Sequence, residues 1–353
     1  MKRFSLYFTG LVLMCVIASC KQSGKSLLTP QASGKPYEIL AVVDDRYWVP
    51  SDSALFEILD SDVPALPQPE RSFRISRIPT SRYDGMMKIF RNIVIVDVQN
   101  IYTQTKLKYA RDVFSSPQVI MTIQSPSRES LDEYLAQHGR LIVDFFTKVE
   151  MSREIALLKK QHNTVVDGKV NEIFGCHIAM PLELKSYKTG ENFLWASSEL
   201  NDLNFVMYSF PYTDKNYFTQ KNFVAKRDSV LKVNLPGASE GMYMQTQLPD
   251  LVQVHNTAIK GEYVLEARGL WEMKNDNMGG PFVAHARVDK KNGRVIVVEG
   301  FVYRPGKLKR DFIRKLHAAL YTLQLPGETE PGDIEFSEQV MEEKISEAGK
   351  ASK

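Results

Sequence analysis

The sequence predicts an α+β protein of two domains, each a mostly antiparallel or mixed sheet packed against helices. Three features predict it. Short apolar or alternating runs recur in both halves of the 353-residue chain. One long helical stripe closes the first half, and periodicity then fails between Gln161 and Gly168. The two domains therefore fall at 37–161 and 168–325.

In the first domain, Ile39 to Val43 is a compact apolar run of the kind that makes a buried strand, ending at Asp44-Asp45. Ser51 or Ser53 can cap a short helix from Ala54 to Leu59. Pro64, Pro67 and Pro69 force an extended passage, and Phe73 to Ile78 alternates as a half-buried strand. Asn92 to Val98 and Gln118 to Ile123 are further strands, with a short helix expected over Thr105 to Phe114. From Ser127, apolar side chains recur at three- and four-residue steps: Leu131, Leu135, Ile142, Phe145, Phe146 and Val149 lie on one stripe. That pattern is an amphipathic helix running to Lys160.

The second domain opens with expected strands at Phe174 to Leu184, Phe193 to Ser197 and Leu203 to Phe210. A helix over Asn216 to Lys232 follows, then a loop-rich stretch, then strands at Glu262 to Lys274, Phe282 to Asp289 and Arg294 to Tyr303. Asn292-Gly293 is the turn signal between the last two. A terminal helix carries Phe312, Leu316, Ala319, Leu320 and Leu323 on one face, and Pro326-Gly327 stops it. The segment 326–353 has eight acidic and three basic residues and little to bury, which predicts a mobile tail dispensable for folding.

The N-terminus carries an address. Lys2 and Arg3 precede an apolar run from Phe4 to Ala18, the build of a secretory signal peptide at 1–19 and too short for a spanning helix. It ends in Ile17-Ala18-Ser19-Cys20, which resembles the lipobox of bacterial lipoproteins. On that reading Cys20 takes the lipid, and residues 20–36, rich in Ser, Gly, Lys and Pro, form the anchor and a flexible linker. Several acyl chains, at about 0.8 kcal/mol per buried CH₂, make a stable tether. Lys21 stands where an aspartate would retain a lipoprotein in the inner membrane, and no acidic export run follows, so the expected place is the outer membrane facing the periplasm. Of three cysteines, Cys15 leaves with the leader and Cys20 is acylated, so Cys176 remains alone as a buried small hydrophobe with no disulfide partner. A formal net charge of +3, spread along the chain, does not point to nucleic acid.

No nucleophile elbow, phosphate loop, zincin helix or metal-finger cysteine pattern occurs, so no catalytic residue, metal ligand or cofactor is assigned. His138 falls on the helical stripe, while His255, His285 and His317 are dispersed through the second domain. The most unusual local stretch runs from Gly269 to Phe282. There Trp271, Met278, Gly279, Gly280 and Phe282 make a candidate ligand or partner surface, since glycines admit close approach and Trp and Met supply apolar contact. The competing expectation is a plain hairpin with Trp271 in the core.

The lipobox together with Leu66-Pro67-Gln68-Pro69-Glu70, Arg91-Asn92-Ile93-Val94, Gly269-Leu270-Trp271-Glu272, Met278-Gly279-Gly280-Pro281-Phe282 and Phe301-Val302-Tyr303-Arg304-Pro305 resembles a family of uncharacterised Bacteroidetes lipoproteins. The order of elements in the second half resembles the PsbP and Mog1-like sandwich, a likeness of fold that implies binding or assembly roles and no chemistry. The function expected is a lipid-anchored envelope binding or assembly protein. Its partners would be the membrane, through Cys20, and an envelope protein or small ligand; an envelope hydrolase without a sequence motif is the alternative. Replacing Cys20 with Ala should abolish incorporation of radiolabelled fatty acid and release the protein from membranes. Acylation of the Cys20→Ala variant would overturn the address.

Overall fold

Strand β1 (Glu38–Val42) lies between β2 (Arg74–Ile78) and β3 (Asn92–Val98), parallel to both, in a computed structural model that describes residues 29–48, 53–334 and 341–343. β5 (Val119–Ser125) continues the parallel set beside β3. β4 (Lys106–Arg111) joins antiparallel to β5, and β14 (Met341–Glu343) closes the outer edge parallel to β4. Parallel neighbours bury both faces, which is why the inner strands β1, β3 and β5 are mostly apolar. Leu40, Val42, Ile93 and Ile120 pack on one side, and Ile39, Ala41, Val94 and Met121 on the other.

The second side is covered by α1 (Ala54–Leu59) and α2 (Arg128–Lys160). Ser53 caps α1 by accepting the amide of Phe56, and Ser127 caps α2 by accepting that of Ser130. The helices meet where α2 has no side chain: a Cβ on Gly139 would come within 2.3 Å of Ile58 Cδ1. At 33 residues α2 is about 50 Å long, more than one domain requires. Its first turns bury Leu131, Leu135, Ile142, Phe146 and Val149 in the first core. Its last turns serve the second domain, where Met151 and Ile155 pack with Ile259, Val264 and Tyr321, and Leu158 enters the larger core beyond. Buried Glu150 fixes the helix to β3, accepting from Arg91 (3.0 and 2.7 Å), Arg153 (2.7 Å) and Asn92 (2.6 Å).

The second sheet is antiparallel, in the order β10 (Gln253–Ile259), β11 (Glu262–Met273), β12 (Gly279–Asp289), β13 (Arg294–Val302), β8 (Leu203–Pro211), β7 (Phe193–Ser198) and β6 (Leu184–Gly190). β9 (Met244–Thr246) pairs with the far end of β11. One face carries α4 (Gln220–Asn234), the other α3 (Thr164–Phe174) and α5 (Arg310–Leu320). β13 shows why a continuous apolar strand is needed. Val295, Val297 and Phe301 face α4, while Ile296, Val298 and Val302 face the other helices. Glu299 also points to α4, where the fully buried Arg227 grips it at 2.8 and 2.7 Å.

Four expectations are corrected. The segment 106–111 is strand β4, not helix, because buried Leu107 and Tyr109 alternate with half-buried Lys106 and Lys108. The expected strand from Phe174 to Leu184 does not form: Phe174 ends α3, whose cap Asn163 accepts two amides and whose Val166, Val170 and Phe174 repeat every four residues, and β6 begins only at Leu184. Gly175, with φ of 61°, ends that helix. The expected linker is not wholly free: Gln31 and Ser33 bridge to Ser116 and Phe90, while residues 1–28, including the leader and Cys20, lie outside the described residues. The acidic tail, finally, is docked along 326–334. Arg287 donates to Glu328, Lys159 pairs with Asp333, and Ile334 is buried beside Met151 and Ile155.

That docking has a measurable consequence. Truncation after Leu325 strips the buried Arg287 guanidinium of its only carboxylate partner among the described residues and opens the Ile334 site. Breaking one side of a buried pair costs about 3–5 kcal/mol. Thermal unfolding of the truncated chain should show a midpoint lowered by several degrees, and an unchanged midpoint would mean the tail contributes nothing.

Candidate functional site

A cleft of about 440 Å³ opens between the two domains. One wall comes from α2, with Arg140, Asp144, Thr147 and Lys148, and from Asp62 to Pro64 and Ser72. The other comes from β10, β11 and α5 of the second domain. The lining is mostly polar, and Thr147 Oγ1 is a buried hydroxyl with no hydrogen-bond partner among the described residues.

The floor is built by strand register. Glu266 of β11 stands directly opposite His255 on β10 and His285 on β12, so these three side chains share one face. Two residues along the same face is Arg268. α5 crosses above this row and sets His317 and Tyr321 over it. Glu266 Oε2 lies 2.8 Å from His317 Nε2, 3.2 Å from the Tyr321 hydroxyl and 3.4 Å from His285 Nε2. Its Oε1 accepts two bonds from Arg268, at 2.9 and 2.7 Å. His285 is wholly buried, and its Nδ1 has no hydrogen-bond partner among the described residues. His255 remains exposed at the mouth.

Burial decides the charge states. It pushes the His317 ring down to about 4, against the pull of Glu266, so the imidazole is neutral near pH 7. Burial alone would raise the Glu266 carboxyl, but His317, Arg268 and the two histidine hydrogen bonds outweigh it and hold the group well below the usual carboxylate range. The floor thus sets an ionised Glu266 against a neutral His317 ring.

Arg314, one turn before His317, is the other unusual group. It is 6% exposed, lines the cleft and stacks on the Tyr37 ring at 4.3 Å. One of its donors reaches the Ser72 carbonyl at 2.7 Å. Among the described residues no carboxylate lies within salt-bridge distance of it, and burial drives the guanidinium down to about 10.

The surface expected around the glycine-rich turn is not there. Trp271 and Phe282 are 2% and 1% exposed, in the core beneath α4. Trp271 packs edge-on against Phe301 at 5.3 Å and donates its indole N–H to the Val302 carbonyl. Gly280 is buried, and a Cβ there would stand 2.0 Å from that same carbonyl, while one on Gly279 would meet the Trp271 carbonyl at 2.9 Å. Met278 is half-buried against this core. Two glycines are needed for strand approach, not for a partner. Cys176 is buried, and its thiol is pushed up to about 12, which leaves it inert. His138 stacks on Tyr134 at the edge of α2.

Sequence reasoning noted His285 and His317 but not their convergence, and it missed Glu266, Arg268 and Arg314. The available signal was charge at alternate positions inside apolar strands, as in Glu266-Ala267-Arg268 and His285-Ala286-Arg287, where side chains on one face must be buried. With Trp271 in the core, Trp271→Ala should cost about 3–5 kcal/mol in chemical denaturation. A cost near 1 kcal/mol, the ordinary range for surface changes, would return Trp271 to the surface.

No curated protein matches the chain in sequence. Among solved structures, a point mutant of protein Mog1 aligns at 8% identity over 40% of this chain and 82% of its own, with a TM-score of 0.27. The Ran-binding protein Mog1p of Saccharomyces cerevisiae aligns at 8% identity over 41% and 83%, with a TM-score of 0.28. No helix among the described residues is long and apolar enough to cross a membrane. Residues 32–159 match the domain of unknown function DUF8532, and residues 163–322 match the domain of unknown function DUF4837, each match covering one of the two folded halves.

Proposed function

We propose that this chain is a lipid-anchored binding protein of the cell envelope, held to the outer membrane by acyl chains on Cys20 and facing the periplasm. It takes a small anionic ligand, a carboxylate or phosphate, in the cleft between its domains. The address rests on the leader and on Ile17-Ala18-Ser19-Cys20. The binding role rests on one observation: Arg314 is a buried cation facing the cleft with no carboxylate to answer it among the described residues. A guanidinium in that position has unfilled donors in a planar fork that fits a carboxylate or phosphate. His255 and Lys148 add donors nearer the mouth, and Thr147 offers an unfilled hydroxyl. An unmetallated hydrolase needs a nucleophile beside its base, and among the described residues no serine, threonine or cysteine side chain bonds Glu266 or His317.

Succinate, citrate and inorganic phosphate are suitable probes, with choline as the cationic control. A ligand present at about 100 times its dissociation constant adds about 2.7 kcal/mol to stability. At least one of these anions should raise the unfolding midpoint of the full chain, and Arg314→Met should lose that rise while remaining folded. If no anion stabilises the wild type, or if the variant responds as the wild type does, the anion-binding reading is wrong.

A further inference from the structure

Three potential donors converge on one oxygen at the floor of the cleft. Glu266 Oε2 faces His317 Nε2, His285 Nε2 and the Tyr321 hydroxyl, all within 3.4 Å. A carboxylate oxygen has two lone pairs, so three donors crowd it. The two ring nitrogens and the carboxylate oxygen also lie within 4.8 Å of one another. We propose that this point is a divalent metal site, with Glu266, His285 and His317 as its ligands and zinc as the ion that fits best.

The donor set argues for zinc. Two imidazole nitrogens and one carboxylate oxygen suit a borderline-soft ion, and three protein ligands with one position left over make an open tetrahedral site. An ion at the point of convergence becomes the partner of both ring nitrogens and of Oε2, so the crowded oxygen is relieved. Each ring then carries its proton on Nδ1. For His317 the contact given up is the long one to Arg268, at 3.4 Å.

The carboxylate is oriented as a metal ligand requires. Arg268 holds Oε1 through two bonds, which orients the carboxylate and leaves Oε2 for the ion. Glu266 and His285 are direct cross-strand partners, so their spacing is set by the sheet. His317 is fixed by α5, which packs on β12 and β13. Glu266, His317 and Tyr321 line the cleft, so the fourth position faces it and would take water or an anionic ligand. The site does not rest on the anion-binding reading, since none of its ligands is Arg314.

The test is zinc itself. The full chain, stripped with a chelator and dialysed, is titrated with zinc against a chromophoric competitor. Wild type should take up a single ion. His285→Ala and His317→Ala should each weaken uptake by at least about tenfold, the scale on which even supporting groups act. His138→Ala, which removes a histidine on α2 that does not line the cleft, should bind as wild type does. Circular dichroism checks the fold of each variant. Glu266→Gln keeps the volume of the side chain should an alanine variant unfold, and it should weaken uptake likewise. Cobalt in place of zinc should give the intense visible bands of a four-coordinate ion. Failure of the wild type to compete for zinc, or unchanged uptake in folded His285→Ala and His317→Ala, would overturn the proposal.

Discussion

Glu70 ties the two domains at the place where the cleft is made. It is 5% exposed, comes from the first domain, and accepts the backbone amides of Lys309 (2.8 and 3.0 Å) and Arg310 (2.8 Å) at the start of α5. The first amides of a helix have no partner within it, and a carboxylate there also meets the positive end of the helix dipole. The neighbouring carbonyls complete the joint: Arg71 accepts from Arg310, and Ser72 from Arg314. α5 therefore cannot settle on its own sheet without also fixing residues 70–72. Since α5 carries Arg314, His317 and Tyr321, this one carboxylate ties those three side chains to the first-domain wall of the cleft.

Three buried glutamates are each gripped by an arginine fork, and comparing them separates structure from function. Glu150 locks α2 to β3, and Glu299 locks α4 to the second sheet. In both, the remaining lone pairs meet ordinary donors or apolar walls, and neither residue lines the cleft. Removing a carboxylate from water costs several kcal/mol, which such forks offset only when the geometry is good. Glu266 bears the same cost with a fork on one oxygen only. Its other oxygen faces two imidazoles and a phenol at the edge of a polar cavity, an arrangement that adds nothing to packing that an apolar side chain would not supply.

The parts of the fold legible in the sequence are those with a long period or a sharp stop. The α2 stripe was readable because Leu131 to Val149 repeat one pattern over more than five turns, and the β12–β13 turn was readable because Gly293 after Asn292 supplies the positive φ that a tight turn needs. β4 and α3 were misread because six or eleven residues offer too few repeats to separate period 2 from period 3.6. The tail was misread because composition reports average burial, and its docking depends on two charges and one isoleucine. The candidate site was hidden for a different reason. Glu266, His285 and His317 come from two strands and a helix, and only the β11–β12 register and the crossing of α5 bring them together.

Cleft geometry also bears on how a ligand would enter. Glu70 pins one end of the joint, and the cluster of Met151, Ile155, Ile259 and Ile334 pins the other, so the walls are tied on both sides. α2 runs unbroken between them, supplying one wall directly from the helix that also builds the first core. A hinge closing over ligand would have to break the Glu70 bonds or expose that apolar cluster, and either costs more than a small ligand commonly returns. The cleft is accordingly a preformed cavity, in which the ordering cost of binding has already been met by folding. Affinity then depends on a few placed groups: among the described residues Arg314 faces the cleft without a carboxylate partner, and the Thr147 hydroxyl without a hydrogen bond.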